Sequence, residues 1–368
     1  MSAKPTVVSV NVNRHVIESK DVPELSELFN LNKLPLGPSN VEIELKNVPT
    51  AVVNGLRRVV TDELPGYALS VPVDGFDIEQ TTDVYMLPQF VNKRISLLAL
   101  RIQISDKIIS TLRLKLDVSN TSTAVLAVYS GDLEIVAGKI TEPLFNPTTK
   151  LCTLQPGKRI VINNIRISTG LGRNDAIYNV ACHTSFKHLD IPQFTDDEIR
   201  AKDGIAAEQS GYTVSSLVSN PKHHVLMACL PATTARLSEV RATFADACAV
   251  IKGRLRLIGT TVDRKTDTPS GGFAHRGVHY TVVDLEDGLT EGVIRVPGET
   301  YTIGEIMRRT IFDLTPDIVN ISLIVESHNN VMILTVRHTS DVTSIIMSAV
   351  DHAISTFDAI QIGITDAK

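Results

Sequence analysis

Arg57-Arg58-Val59-Val60-Thr61-Asp62-Glu63-Leu64-Pro65 has a second form in the same chain, Arg308-Arg309-Thr310-Ile311-Phe312-Asp313-Leu314-Thr315-Pro316. Both read Arg-Arg, three residues, Asp, two residues, Pro, and one constant offset carries each matching position onto its partner. Alone the match is weak. The elements around it make it a repeat. Before the first copy, Val41-Glu42-Ile43-Glu44-Leu45-Lys46 alternates apolar and charged residues, the pattern of a half-buried strand. Asn47 is then read as a helix N-cap with Pro49 in the first turn. Val52, Leu56, Val59, Val60 and Glu63 follow at helical spacing until Pro65-Gly66 stops the helix. Before the second copy, Gly292 to Val296 is a strand, and a helix runs from about Thr302 to Leu314.

Each copy is followed by two strands and a long amphipathic helix. In the second half the strands are Val319 to Val325 and Val331 to Arg337, joined by a hairpin at His328-Asn329-Asn330. The helix carries Val342, Ile345, Ile346, Ala349, Val350, Ala353, Ile354 and Phe357 in one stripe. In the first half the strands are Ile177 to Phe186 and His224 to Leu230. The helix, starting near Thr233, carries Leu237, Val240, Phe244, Ala247, Cys248, Ile251, Leu255 and Ile258. The order β-α-β-β-α therefore occurs twice. The second copy returns to a strand at once, near Asp317; in the first, residues 66–173 intervene, enough for an inserted domain. That insert is strand-rich, with turns at Asp74-Gly75, Ser130-Gly131-Asp132, Asn146-Pro147 and Pro156-Gly157 and a tight turn at Gly170-Leu171-Gly172-Arg173.

Residues 1–65 with 174–262 are thus expected to form one module and residues 278–368 the other, with 66–173 as the mainly β insert and 263–277, rich in Thr, Ser and Gly, as the linker. Residues 1–40 read as a lead-in arm with a β-like run from Thr6 to Val12, and 190–221 as polar loop with room for one short helix. The two stripes predict an intramolecular interface, with Phe244, Cys248 and Ile251 on one helix and Ile346, Val350 and Ile354 on the other.

Composition narrows the function. The chain has 368 residues, is 43% hydrophobic and 21% charged, and has a formal net charge of −5. That is a core-forming composition of two or three domains, and its charge argues against coating nucleic acid by bulk electrostatics. Arg14, Glu18, Lys20 and Asp21 interrupt any apolar run at the N-terminus, and no run approaches the ~18 residues of a membrane helix, so an intracellular chain without a membrane anchor is expected. The four cysteines lie far apart without a CxxC pair and are read as reduced thiols at buried or half-buried positions. His183, His188, His223 and His224 are candidate metal ligands, but adjacent histidines on a strand face opposite ways and no acidic third ligand is suitably spaced. Gly170-Leu171-Gly172 is a tight turn more readily than a phosphate loop, since no GxxxxGK[ST] is present. No nucleophile elbow, paired-carboxylate signature or Asp-rich metal loop appears, so no catalytic residue and no cofactor are expected.

Asn54-Gly55-Leu56-Arg57-Arg58 resembles the alpha motif of RNA polymerase assembly subunits, the family of the bacterial alpha N-terminal domain and the third and eleventh subunits of RNA polymerase II. Thr81-Thr82-Asp83, Phe90 to Leu100, Ser130 to Leu133, Leu154 to Lys158 and Gly170 to Ala176 resemble third-subunit landmarks in order. Tyr301-Thr302-Ile303-Gly304-Glu305-Ile306-Met307-Arg308 resembles the eleventh-subunit motif, with Tyr301 where His is usual and Glu305 where Asn is usual. Both halves on one chain resemble the fused subunit of large cytoplasmic DNA viruses, African swine fever virus among them; Ser185 to Ile191, Ser210 to Tyr212 and Pro221 to His224 look like landmarks of that form. The fold this implies is α+β, two alpha-subunit-like dimerisation modules pairing within one chain. The function it implies is a non-catalytic platform that holds the two largest polymerase subunits, with small polymerase subunits as further partners. Nucleic acid is then met only through the complex, and the location is the virion and host cytoplasm. The zinc or iron–sulfur ligands of many third-subunit relatives are missing, because the insert holds only Cys152. By the same resemblance Asn54, Arg57, Arg58, Gly170, Gly172, Arg173, Arg308 and Arg309 meet partners. For the two Arg pairs the plain alternative is a solvated basic face. A free-standing dimerising scaffold and a metal-dependent hydrolase are the alternative functions.

Overall fold

The computed structural model of the protein describes residues 4–14, 39–72, 74–77, 81, 88–102, 104–140, 144–189, 222–231, 237–263, 273–275, 277–285 and 288–367. The stretch 190–221, the landmark Ser210 to Tyr212, the helix start near Thr233 and residues 264–272 of the linker lie outside them. The described chain is a mixed α/β structure of antiparallel sheets and six α-helices.

Two sheets repeat one plan. The first is ordered β1–β2–β10–β9, from Thr6–Arg14, Ser39–Lys46, His223–Leu230 and His183–His188. The second is ordered β11–β12–β13–β15–β14, from Phe273–His275, Val278–Asp284, Thr290–Pro297, Val331–His338 and Asn320–Glu326. The offset relating the two Arg-Arg motifs also carries β2 onto β13. Lys46 lies opposite His223 and Ser39 opposite Leu230; likewise Pro297 lies opposite Val331 and Thr290 opposite His338. The next ladder agrees, His188 to His224 matching Val325 to Met332. So does the outer one, Ser9 to Glu44 matching His279 to Arg295. Register fixes which face each side chain occupies, since a one-residue slip would turn every buried residue outward. Val41, Ile43 and Leu45 are accordingly buried, as are Met332, Leu334 and Val336.

Helix α1 (Thr50–Arg58) follows β2, and α5 (Tyr301–Leu314) follows β13. They pack on each other where Gly55 meets Ile306: a Cβ on Gly55 would stand 2.7 Å from Ile306 Cδ1. Position 306 is the repeat-equivalent of position 55. Long helices α4 (Leu237–Asp263) and α6 (Val342–Asp366) close the two halves and make the most extensive helix–helix contact among the described residues. Each also reaches the other half's sheet, α4 touching β12 and α6 touching β1, where Gly363 lets Val7 approach. One continuous apolar core joins both sheets and α1, α4, α5 and α6.

Residues between the first Arg-Arg motif and β9 form a second core. It lies under a sheet β3–β8–β4–β6 (Pro65–Ser70, Arg159–Leu171, Arg113–Ser119, Leu133–Ala137) and a pair β5–β7 (Leu126–Tyr129, Lys150–Leu154). Two helices join it, α2 (Pro88–Ser96) and α3 (Asp106–Thr111), in a stretch read as strands and turns.

Several local expectations change. Asn47 is not an N-cap but takes φ 60, a left-handed turn that Asn tolerates, and α1 starts after Pro49. Beyond Arg58 the helix widens into one π-type turn, Val59–Glu63, closed by Leu64 N–H donating to Val59 O at 3.2 Å. The N-terminal run is a full sheet strand rather than an arm. Part of the linker range is strand β11. Strand β8 runs on through Leu171, so the turn falls just after it, and the strand expected from Ile177 begins only at His183 behind a short 3-10 turn, Ala176–Tyr178. No described helix is long and apolar enough to cross a membrane.

Candidate interaction site

The first Arg-Arg motif and the Gly170–Arg173 segment meet in space. The β3–β8 ladder sets Pro65 opposite Leu171 and Gly66 opposite Gly170. The loop beyond then folds onto the end of α1. Arg173 N–H donates to Asp62 O at 2.9 Å, and Val180 N–H donates to Thr61 O at 3.1 Å. Gly172 is required there: a Cβ would lie 2.9 Å from Asp62 Cα and 2.1 Å from Asn179 Oδ1. Gly170 is equally tight against the Tyr178 ring, at 2.6 Å.

Charge at this junction is not internally satisfied. Arg57 Nε donates to Asn54 Oδ1 at 3.0 Å, so Asn54 orients that guanidinium. Burial first, then neighbouring Arg58, lowers the Arg57 pKa, while Asp62 acts the other way. Arg58 has no ion pair or hydrogen bond among the described residues. Asp62 is pushed above the usual carboxylate range by burial first and Glu63 second, with Arg58 and Arg57 opposing. Its Oδ1 is buried without a hydrogen-bond partner. Two neighbouring cations and one carboxylate oxygen without a donor thus lie close together at the end of α1.

The second Arg pair is placed differently. Arg308 Nε and Nη2 donate to Glu305 Oε2 at 2.9 and 2.8 Å. Arg309 pairs with Asp313 at 2.8 Å and covers the Phe312 ring at 5.4 Å. Local acids therefore already neutralise it.

Phe244, Cys248, Ile251, Ile346 and Val350 are buried in the joint core, and Ile354 is half-buried against it. Burial pushes the Cys248 thiol up to about 12, which leaves it inert at neutral pH. Lys252 Nζ on α4 donates to Asp358 Oδ1 on α6 at 2.6 Å and also to Gln361. Cys182, expected to be at least half-buried, is exposed, because it sits where the chain enters β9 at the sheet margin.

Sequence reasoning missed a three-residue ionic junction. Arg254 on α4 pairs with Glu63 at the end of α1 and, at 3.3 Å, with Glu299 before α5. The side chains of Glu63, Glu299 and Arg254 are only 4%, 12% and 21% exposed, so this tie between the halves is buried. Burial raises the Glu299 carboxyl, Arg254 opposes that, and Glu63 adds to it. Nothing local in the sequence marks it, since its members come from three distant segments.

The histidines divide as strand geometry requires. His224 is fully buried, its Nε2 2.9 Å from Val48 O and its Nδ1 2.8 Å from His188 Nδ1. His223 faces the other way and meets Glu44 at 2.7 Å. Among the described residues no three His, Cys, Asp or Glu side chains are grouped to hold a metal ion.

No family model matches the chain. It is 34% identical over 342 residues to the "DNA-directed RNA polymerase RPB3-11 homolog" of African swine fever virus in a Pig/Kenya isolate, covering 91% of this chain and 90% of that protein. The protein of that name in the Vero-adapted Badajoz strain is 34% identical over 341 residues, with the same shares covered.

Proposed function

Because the chain belongs to the family of these viral RNA polymerase RPB3-11 homologs, we propose that it is a non-catalytic platform subunit of a DNA-directed RNA polymerase. Two alpha-like modules, 1–65 with 174–262 and 278–368, pair within the chain, linked by 263–277, and the first carries 66–173 as an insert. The paired modules hold the two largest subunits, which carry the chemistry, and adjoin smaller ones in the virion and the cytoplasmic viral factory. The observation that carries the reading is the repeated strand register, sheet for sheet, around one shared core. Isologous pairing of related units is the usual way two such faces bury one another.

Partner contact is assigned to Asn54, Arg57 and Arg58 on α1 and to Gly170, Gly172 and Arg173 on the segment folded against Asp62 just beyond that helix, and with less charge available to Arg308 and Arg309. Replacing Arg57 and Arg58 by Ala leaves the chain folded, since neither anchors the core. It weakens recovery of the second-largest subunit by about 10- to 100-fold, the range of an interface hot spot. Replacing Arg308 and Arg309 has a smaller effect. The test is co-purification with the tagged chain from its native source, followed by template-dependent RNA synthesis. Unchanged polymerase yield from the Arg57/Arg58 variant removes that role, and recovery of the chain alone removes the platform reading.

A further inference from the structure

An open cavity of about 870 Å³ lies between the inserted region and α4, with Leu64, Pro65 and Val180 also on its lining. Ile102, Ile104, Ile108 and Leu144 form its apolar side, and Glu239, Thr243, Asp246 and Val250 line it from one face of α4. At its base Arg101 Nε donates to Glu239 Oε1 at 3.1 Å, and both side chains are at least nine-tenths buried. That pairing engages only one carboxylate oxygen. Glu239 Oε2 is buried and has no hydrogen-bond partner. An orphaned acceptor on a buried, charged carboxylate is costly, and a native site that keeps one calls for a donor from outside.

Two helical turns along the same face, Asp246 is exposed and has no ion pair or hydrogen bond among the described residues, and partial desolvation raises its carboxyl above the usual range. Among the described lining residues Glu239 and Asp246 face Arg101, an excess of one negative charge, and Tyr67 is neutral. Apolar walls, an unmet acceptor and a net negative charge together define a complementary occupant.

We propose that this cavity is a docking groove for a segment of another polymerase subunit that inserts one Lys or Arg flanked by aliphatic side chains, the cation meeting Asp246 and an N–H donor meeting Glu239 Oε2. The groove is wider than a lone basic chain requires, and its aliphatic lining matches the flanking residues. The proposal deepens the platform reading and rests on it.

The test replaces Ile108, which lines the groove, by an aliphatic diazirine amino acid in the full tagged chain, produced where the polymerase assembles. The purified complex is irradiated and the adduct is sequenced. The expected adduct lies on another polymerase subunit, within about three residues of a Lys or Arg. Asp246→Lys lowers its yield about tenfold and Asp246→Glu retains it, the factor being that of one lost charge pair. Thermal melting checks that each variant folds, with Asp246→Asn in reserve. A crosslink to this same chain, to a segment without a basic residue, to a polyamine or to solvent alone overturns the proposal, as does a yield indifferent to Asp246→Lys. Subunit composition of the purified complex reports separately on the platform reading.

Discussion

Replacing Arg254 by Met is expected to destabilise the protein by about 3–5 kcal/mol, the cost of leaving buried carboxylates without their cation. Arg254 pairs with both Glu63 and Glu299, which lie just beyond α1 and β13, one in each half. The loss has a pH signature. The folded Glu299 carboxyl is raised by burial, and Arg254 holds it back. A group raised on folding contributes stability below its unfolded pKa and loses it as pH rises through the folded one. Without Arg254 the Glu299 carboxyl moves higher still. Denaturant melts should therefore show a larger loss at pH 8 than at pH 5. Adding Glu63→Gln and Glu299→Gln to Arg254→Met should recover most of the stability, because the cost lies in unpaired charge rather than in missing volume. A loss under about 1 kcal/mol, equal at both pH values, would show the junction to be well solvated.

How far such a junction was legible follows from where its members sit. Val41 to Lys46 could be read because alternation is a local signal, and both long helices because their stripes recur over many turns. The Arg-Arg repeat was legible because evolution of related halves keeps spacing; its identity in strand register is a stronger statement that only paired residues such as Ser39–Leu230 and Thr290–His338 carry. The helices in the insert were missed although Val91, Ile95 and Leu98 have helical spacing and are buried. Their turns are short, and tertiary packing on β3 rather than propensity holds α2. Asn47 misled because the same side chain that caps helices also tolerates a left-handed turn. At the candidate site, the meeting of the Gly170–Arg173 segment with the end of the first helix was not legible. Asp62 and Gly172 are brought together by the β3–β8 ladder, a pairing across the whole insert. Glu239 stands on the long helix as an ordinary polar position in sequence, and only the fold shows Arg101 enclosing it, with Asp246 on the same cavity wall.

The pseudo-symmetric pairing proposed here makes its sharpest demand at Gly55 and Ile306. In an isologous contact, equivalent positions meet at the axis, and these two are equivalent by the repeat and in contact. Gly55→Ile should cost about 1–3 kcal/mol, because its Cβ and branches enter space that Ile306 Cδ1 occupies. Ile306→Gly should cost about 3–6 kcal/mol, from an emptied core site and a glycine in mid-helix. The exchanged pair, Gly55→Ile with Ile306→Gly, returns one isoleucine and one glycine to the same crossing with their sources reversed. On an axis the two arrangements are nearly equivalent, so the exchange should be more stable than Ile306→Gly alone by about 1–3 kcal/mol, and the coupling exceeds that gain by the recovered Gly55→Ile loss. Denaturant unfolding of the four proteins measures it. Simple additivity of the single losses would mean that α1 and α5 merely touch, and that the repeat in register does not extend to a two-fold relation between the halves.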